Sequence, residues 1–355
     1  MQQFFSPPTH CVAARRNPGC RMCSNKRNPR HTDAVNMTQR NIAPRPKTAV
    51  VVAALLGAGV LTACSFGMED PMAHADTTPQ GTFVELPEGR LHAIVQGEGP
   101  DLVMIHGANG NARDFSFDLV DRMAEEFRVI AFDRPGFGYS DPLGDPLSPM
   151  EQADQLRRGA EQLGVESPVI VAHSYGGAVA LAWALQAEDE IAGLTLLAPA
   201  SHPWPGELGL WYRVSASPVG QHVMLPVVAN LTPRAAVERT LERVFQPDPV
   251  PEGYLDHLGF DLTLRTRQLQ INARQIDRLK GFLEEMAPRY PTLSLPIEVV
   301  HGLEDRTVGL PFHAERLKDE VASVNLTRVE GMGHMPHHAD PDLVAELIRR
   351  TAERR

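Results

Sequence analysis

Ser174 stands in the run Ala172-His173-Ser174-Tyr175-Gly176-Gly177, between the apolar stretch 169–172 and an Ala-rich segment, AVALAWAL. A serine between small residues at a strand-to-helix junction suits a nucleophile. The turn is too tight for bulky neighbours, it lifts the hydroxyl above the sheet, and the next residue's N–H points at a developing oxyanion. Two further residues supply what such a serine needs. Asp305 lies in His301-Gly302-Leu303-Glu304-Asp305-Arg306, just past the apolar run 297–300. His334 lies in Gly331-Met332-Gly333-His334-Met335-Pro336, just past the run 324–329. An imidazole takes the hydroxyl proton and returns it to a leaving group, while a carboxylate orients the ring and balances its charge. Upstream, the Gly-rich turn His106-Gly107-Ala108-Asn109-Gly110 follows the run 102–105 and lets a second N–H, that of Ala108, join the Tyr175 amide at the oxyanion. The chemistry expected of this set is attack on a carbonyl with an acyl-enzyme intermediate.

Close alternatives exist at two of these positions. Glu304 adjoins Asp305, and His337 and His338 compete with His334, although only His334 directly follows a Gly-x-Gly turn. The sequence places His337 and His338 at the surface, at the start of the last helix.

These residues need a scaffold that brings four strand ends to one edge. Past residue 80, segments 82–86 and 91–96 read as a hairpin around Pro87-Glu88-Gly89. Short apolar runs bounded by turn signals then recur at 102–105, 129–132, 168–172, 194–197, 297–300 and 324–329, as buried parallel strands do. Helical stretches alternate with them at 112–126, 149–163, 176–187, 312–321 and 341–354. Strands alternating with amphipathic helices predict βαβ units and a parallel sheet. Residues 201–286 interrupt the alternation: Pro-rich at first, then helical at 233–244 and 264–286, they form an insertion between two strands.

With its Ser, acid and His in that chain order, the sequence resembles the α/β-hydrolase fold family over roughly residues 82–355. The loop Asp133-Arg134-Pro135-Gly136-Phe137-Gly138-Tyr139-Ser140 also matches the family's D-R-x-G-x-G-x-S turn, expected to be structural, while Ala172 stands where the family usually has the first Gly of its serine turn. The resemblance implies an α/β fold with a mostly parallel eight-stranded sheet and helices on both faces. Residues 81–200 and 287–355 would form its core and 201–286 a helical cap. It also implies roles: Ser174 as nucleophile, His334 as base and then acid, Asp305 as the orienting carboxylate, and the Ala108 and Tyr175 amides as the oxyanion hole. Caps wall the substrate pocket, so Asn109, Trp204 and Trp211 are expected near substrate, with Tyr212, Met224 and Phe260 as further lining. Relatives that open epoxides or displace halide use Asp where Ser174 stands, so the resemblance points to a carboxylic ester hydrolase on small or medium apolar esters. Serine relatives that cleave carbon–carbon bonds, amides or lactones, or form peracids, are the alternative, and a binding protein on a hydrolase scaffold is another. A carboxylate-bearing diketone would call for a cationic cap residue such as Arg265, Arg267 or Arg274.

Charge and composition narrow the partners. The 355 residues include 34 Lys and Arg against 44 Asp and Glu, for a net charge of -10. That balance is uneven: residues 1–63 carry +8 and residues 64–355 carry -18. So acidic a body does not suit a phosphate backbone, and nucleic acid is not an expected partner. No phosphate loop or dinucleotide fingerprint is present, and Cys20-x-x-Cys23 lacks a second ligand pair, so neither cofactor nor metal is expected.

The basic end reads as an address. Residues 1–36 are expected to be a non-native extension, with Met37 well placed as the start. Arg40, Arg45 and Lys47 then precede an apolar run at 49–61 that is too short to span a bilayer but suits a signal peptide. That run ends in Leu61-Thr62-Ala63-Cys64, which resembles the lipobox of bacterial lipoproteins. A signal at 37–63, acylation at Cys64 and a tether at 64–80 would leave the body anchored to a membrane of the bacterial cell envelope. A small ester-like molecule is the expected substrate.

Overall fold

The computed structural model describes residues 79–144 and 148–354. Residues 1–36, the signal at 37–63, Cys64 and most of the tether lie outside the described residues. Eight strands form one sheet: β1 (Thr82–Leu86), β2 (Gly89–Gln96), β3 (Asp101–Ile105), β4 (Arg128–Phe132), β5 (Val169–His173), β6 (Gly193–Leu197), β7 (Ile297–Gly302) and β8 (Val324–Val329). Their order across the sheet is β1-β2-β4-β3-β5-β6-β7-β8. β1 and β2 pair antiparallel, as do β2 and β4, and every pairing from β4 through β3 to β8 is parallel.

Alternation along the central strands divides the core into two layers. Val103, Ile105, Ile170, Ala172 and Leu196 face one side, beneath the helices Pro149–Gln162, Tyr175–Ala187 and Ala314–Glu320. Leu102, Met104, Val169 and Val171 face the other, beneath Arg113–Ser116, Leu119–Met123 and Pro341–Glu353. Burial on both faces is why these strands read as unbroken apolar runs rather than alternating ones.

One expected helix, 112–126, is two short ones. The chain leaves helical geometry at Asp118, where φ is -150°. The break aims Phe117 at Tyr254, His257 and His338, with ring centroids 5.4 to 5.8 Å away. The helix expected at 312–321 is shorter, Ala314–Glu320, after a 3-10 turn at Leu310–Phe312.

Between β6 and β7 the described residues hold only helices, the longest being Thr266–Met286. Hydrogen bonds fasten this insertion over the C-terminal edge of the sheet. Asn111 Nδ2 donates to Leu258 O at 2.9 Å, and the Gly138 amide donates to Gln268 Oε1 at 3.0 Å. No helix among the described residues is long and apolar enough to cross a membrane.

Candidate active site

Ser174 directly follows β5 and precedes the Tyr175–Ala187 helix, with φ 52° and ψ -116°. A non-glycine residue rarely adopts a positive φ, and the surrounding structure must hold it there. The Ser174 amide donates to Leu197 O at 2.9 Å, and the Gly177 amide donates back to Ser174 O at 2.9 Å. The following glycines are required by close approach. A Cβ on Gly176 would lie 2.3 Å from Ile105 O, and one on Gly177 2.6 Å from Pro199 Cβ.

The side chains of Ser174, His334 and Asp305 meet at this edge. His334 Nε2 is 3.0 Å from Ser174 Oγ, and His334 Nδ1 is 2.7 Å from Asp305 Oδ2. The other Asp305 oxygen, Oδ1, accepts from the amides of Thr307 at 2.7 Å and Val308 at 3.0 Å, which fixes the carboxylate plane. Burial alone would raise the Asp305 pKa. Hydrogen bonds from His301 and His334, the neighbouring His334 charge and the Val308 amide outweigh it and hold the carboxyl well below its usual range. Asp305 is therefore anionic when the imidazole beside it takes a proton. Glu304 is exposed and its amide donates to Met332 O, so the carboxylate facing His334 is Asp305.

Ala108 and Tyr175 line a cavity together with Ser174. The Tyr175 amide opens a helix of 13 residues, so the helix dipole adds positive potential where an oxyanion would form. The turn that carries Ala108 is gripped by a buried cation. The Arg134 guanidinium donates to His106 O at 3.0 Å and Gly107 O at 2.9 Å, and also to Gln152 Oε1 and Gln275 Oε1 at 2.8 and 3.0 Å. It is stacked between the rings of Phe137 and Tyr175, 4.4 and 4.5 Å from their centroids. Burial brings its pKa down to about 10. Asp133, at the start of the same loop, accepts from the Ala112 amide at 2.7 Å and the Tyr139 amide at 2.8 Å. The D-R-x-G-x-G-x-S loop thus supports the turn that carries Ala108 from behind.

Two cavities meet at Ser174. One, of about 280 Å³, runs past Asn109, His334 and Met335 toward Leu241, Val244 and Leu258. The other, of about 350 Å³, runs past Trp204, Leu208, Leu279 and Phe312. Tyr212 and Ile276 belong to both, and no Lys or Arg lines either. Asn109 keeps its Nδ2 on Thr263 O at 3.2 Å, while its buried Oδ1 has no hydrogen-bond partner. Of the residues expected at the pocket, Asn109, Trp204 and Tyr212 line it. Trp211, Met224 and Phe260 do not, and Trp211 is half exposed on the outer side of the cap. Arg265 donates instead to Gly138 O at 3.1 Å and Arg274 to Gln221 Oε1 at 3.0 Å.

The expectation that His337 and His338 lie at the surface is corrected by the structure: both side chains are buried against Asp114. Asp114 Oδ1 accepts from Tyr254 Oη at 2.7 Å and from His338 Nε2 at 2.9 Å, and Asp114 Oδ2 lies 3.3 Å from His337 Nε2. Burial would raise the Asp114 carboxyl, but the two imidazoles hold it well below its usual range. His173 packs beneath the serine turn and adjoins this cluster. Its Nε2 donates to His334 O at 2.9 Å, and burial keeps the ring neutral. Asp114, His173 and His337 each bring one atom of metal-ligand type within 4.8 Å of the others, the one such grouping among the described residues. The cluster is not legible in the sequence because Asp114 lies more than 220 residues upstream of His337 and His338 and well apart from His173, and no local spacing links them. The adjacent pair His337-His338, next to a catalytic-type histidine, was the only signal available.

Comparison with known proteins agrees with this architecture. The model of the alpha/beta hydrolase family matches residues 102–347. An uncharacterised protein of Mycobacterium bovis is 27% identical over 274 residues, spanning 72% of this chain and 76% of its own. A pimeloyl-[acyl-carrier protein] methyl ester esterase of Photorhabdus laumondii is 29% identical over 209 residues, 53% of this chain and 76% of its own. Among solved structures, an esterase from Thermogutta terrifontis superposes with a TM-score of 0.61 at 22% identity, covering 76% of this chain and 97% of its own. A 2-hydroxy-6-oxo-6-phenylhexa-2,4-dienoate hydrolase from a Rhodococcus strain gives 0.63 at 22% identity, covering 78% and 100%. At these identities the two structures show a shared fold.

Proposed function

The chain belongs to the alpha/beta hydrolase family, and on that premise we propose that it is a serine hydrolase that cleaves uncharged carboxylic esters through an acyl-enzyme. The observation that carries this reading is the unbroken contact from Ser174 Oγ through His334 to Asp305, opening onto two cavities that contain no cationic side chain.

The geometry supports the following course. Ser174 Oγ attacks the ester carbonyl carbon as His334 Nε2 accepts its proton, and Asp305 balances the imidazolium across 2.7 Å. The carbonyl oxygen becomes an oxyanion facing the Tyr175 and Ala108 amides. Collapse breaks the bond to the alkoxy oxygen, which leaves with the proton from His334. A water then gives its proton to the same nitrogen, attacks the acyl-enzyme and releases the carboxylic acid with Ser174 restored.

The charge of the pocket argues against a carboxylate-bearing diketone substrate, since Arg265 and Arg274 are held elsewhere and none of the three cap arginines lines a cavity. Export and acylation at Cys64 remain part of the proposal, supported by the Leu61-Thr62-Ala63-Cys64 run. Hydrolysis of p-nitrophenyl esters with acyl chains of increasing length tests the reading. Turnover of apolar esters, abolished in Ser174→Ala, is the expected result. Absence of turnover across the series by folded protein would refute it.

A further inference from the structure

Helices on a soluble body bury their apolar faces and expose their polar ones. The outer segment of the cap does the reverse. Residues 210–231 contain eight of the twelve large apolar side chains that are exposed among the described residues. Val219, Val223, Val227 and Leu231 recur every fourth position through a π-helical turn, Gly220–Met224, and the helix Leu225–Leu231 that continues it. Leu210 and Trp211 extend the stripe on the preceding helix, Leu210–Ala216. Leu210 and Leu231 are each 74% exposed and Val219 68%.

The inner face of the same segment sets polar residues beside the buried Leu225. Gln221 is buried, donates through Nε2 to Ser215 O at 2.8 Å and accepts from Arg274 Nη1 at 3.0 Å. Its backbone oxygen accepts from Gln270 Nε2 at 2.7 Å, which ties the π-helical turn to the long helix Thr266–Met286. A Cβ on Gly220 would fall 1.9 Å from Val214 O, so the close approach that sets this orientation depends on glycine. The valines therefore face outward because polar contacts inside hold them there.

Charge selects the occupant. Residues 208–237 contain no Asp or Glu, in a body that carries -18 in all, and their charged side chains are Arg213 and Arg234, the second of which is paired with Glu238 and Asp256 just outside the strip. An acid-free apolar strip suits the anionic headgroup surface of a bilayer, into which interfacial helices set their apolar side while basic residues meet the headgroups. The strip also adjoins the site: Tyr212, on the Leu210–Ala216 helix, lines both cavities at Ser174, and Leu208 lines the second. Cys64 precedes the first described residue by fifteen positions, a reach of at most about 50 Å, so acylation there would keep the body close to such a surface.

We propose that the 210–231 face docks on an anionic lipid bilayer and that the site takes apolar esters drawn from it. The docking half stands on the surface alone, and the substrate half rests on the serine hydrolase reading. Trp211 is the reporter. The full chain carrying Cys64→Ser, which has no acyl anchor, is mixed with phosphatidylglycerol vesicles bearing brominated acyl chains. Its fluorescence is compared with that of the same chain carrying Trp211→Phe. Docking predicts that the Trp211 emission shifts to the blue and loses at least half its intensity, that Ser174→Ala behaves identically, and that Val223→Glu/Val227→Glu abolishes the effect. That double variant should keep its rate on a soluble acetate ester and lose at least tenfold on a long-chain ester carried in the vesicles. Trp211 emission unchanged by vesicles would overturn the docking. So would an emission already blue-shifted without lipid that reddens on dilution, since a second copy would then cover the stripe. Failure of every soluble ester to react would sink the substrate half alone, because the quenching needs no turnover.

Discussion

The Nδ1 atom of His334 lies 2.7 Å from a carboxylate oxygen of Asp305 whose partner oxygen is held by two backbone amides. The amides fix the carboxylate and the carboxylate fixes the ring, so the imidazole presents Nε2 to Ser174 without further adjustment. Asp305→Asn keeps the size of the side chain but offers an N–H where the ring needs an acceptor. It should lower kcat by about 10³- to 10⁴-fold with little change in KM. Steady-state kinetics on a soluble ester checks this.

Asp305 and Asp114 both have carboxyls held below their usual range. A depressed carboxyl contributes stability that is present above the unfolded value, about 3.9, and is lost as pH falls through the folded value. The wild-type chain should therefore begin to lose stability below about pH 6.5, where the unfolded chain protonates histidines that burial keeps neutral in the fold, such as His106, His173 and His313, and lose it further below about pH 4 as these carboxylates follow. Asp114→Asn should show a flatter acid limb, because one of the two groups no longer titrates. Denaturant midpoints between pH 3 and 7 measure the difference.

Removing the buried Arg134 guanidinium leaves the His106 and Gly107 carbonyls and two glutamine oxygens without their donor. Arg134→Met should cost about 3 kcal/mol or more, through buried acceptors left unpaired. Surviving folded protein should also lose kcat, because the turn that carries Ala108 is released. Arg134→Lys should recover only part of either loss, since an ammonium cannot reproduce the planar fork. Thermal melts and kinetics on the three proteins separate these outcomes.

Gly176 tolerates no side chain, because the position its Cβ would take is occupied by the Ile105 carbonyl, which does not swing aside as a side chain would. Gly176→Ala should destabilise by about 2–3 kcal/mol as the turn is forced open. By contrast, a Cβ on Gly281 meets nothing within 4 Å, so Gly281→Ala, inside the helix Thr266–Met286, should be neutral or raise stability by up to about 1 kcal/mol. Urea denaturation of the pair checks both signs.

Much of this arrangement is legible in the residues, for identifiable reasons. The central strands announce themselves because burial on both faces leaves them no polar position, and four of the chemically suggestive residues stand where such runs end. The serine turn is readable because steric crowding restricts its neighbours to small side chains. What escapes is whatever depends on contacts between distant segments. The Asp114 cluster joins residues more than 220 positions apart, and Phe117 breaks its helix in order to pack against cap and C-terminal rings that no local pattern indicates. His337 and His338 look solvent-exposed by type, yet a buried carboxylate draws them inward. The cap misleads for the opposite reason: Trp211 looks like pocket lining because it is aromatic, whereas its helix turns it outward.

The central claim is that Ser174 is a nucleophile activated by His334. A fluorophosphonate reports that directly, because it captures an activated serine without requiring the right ester. Mass spectrometry of the labelled protein should place one phosphonyl adduct on the peptide containing Ser174, with labelling absent in Ser174→Ala and at least 100-fold slower in His334→Ala. An adduct elsewhere, or no adduct on folded protein, would contradict the account.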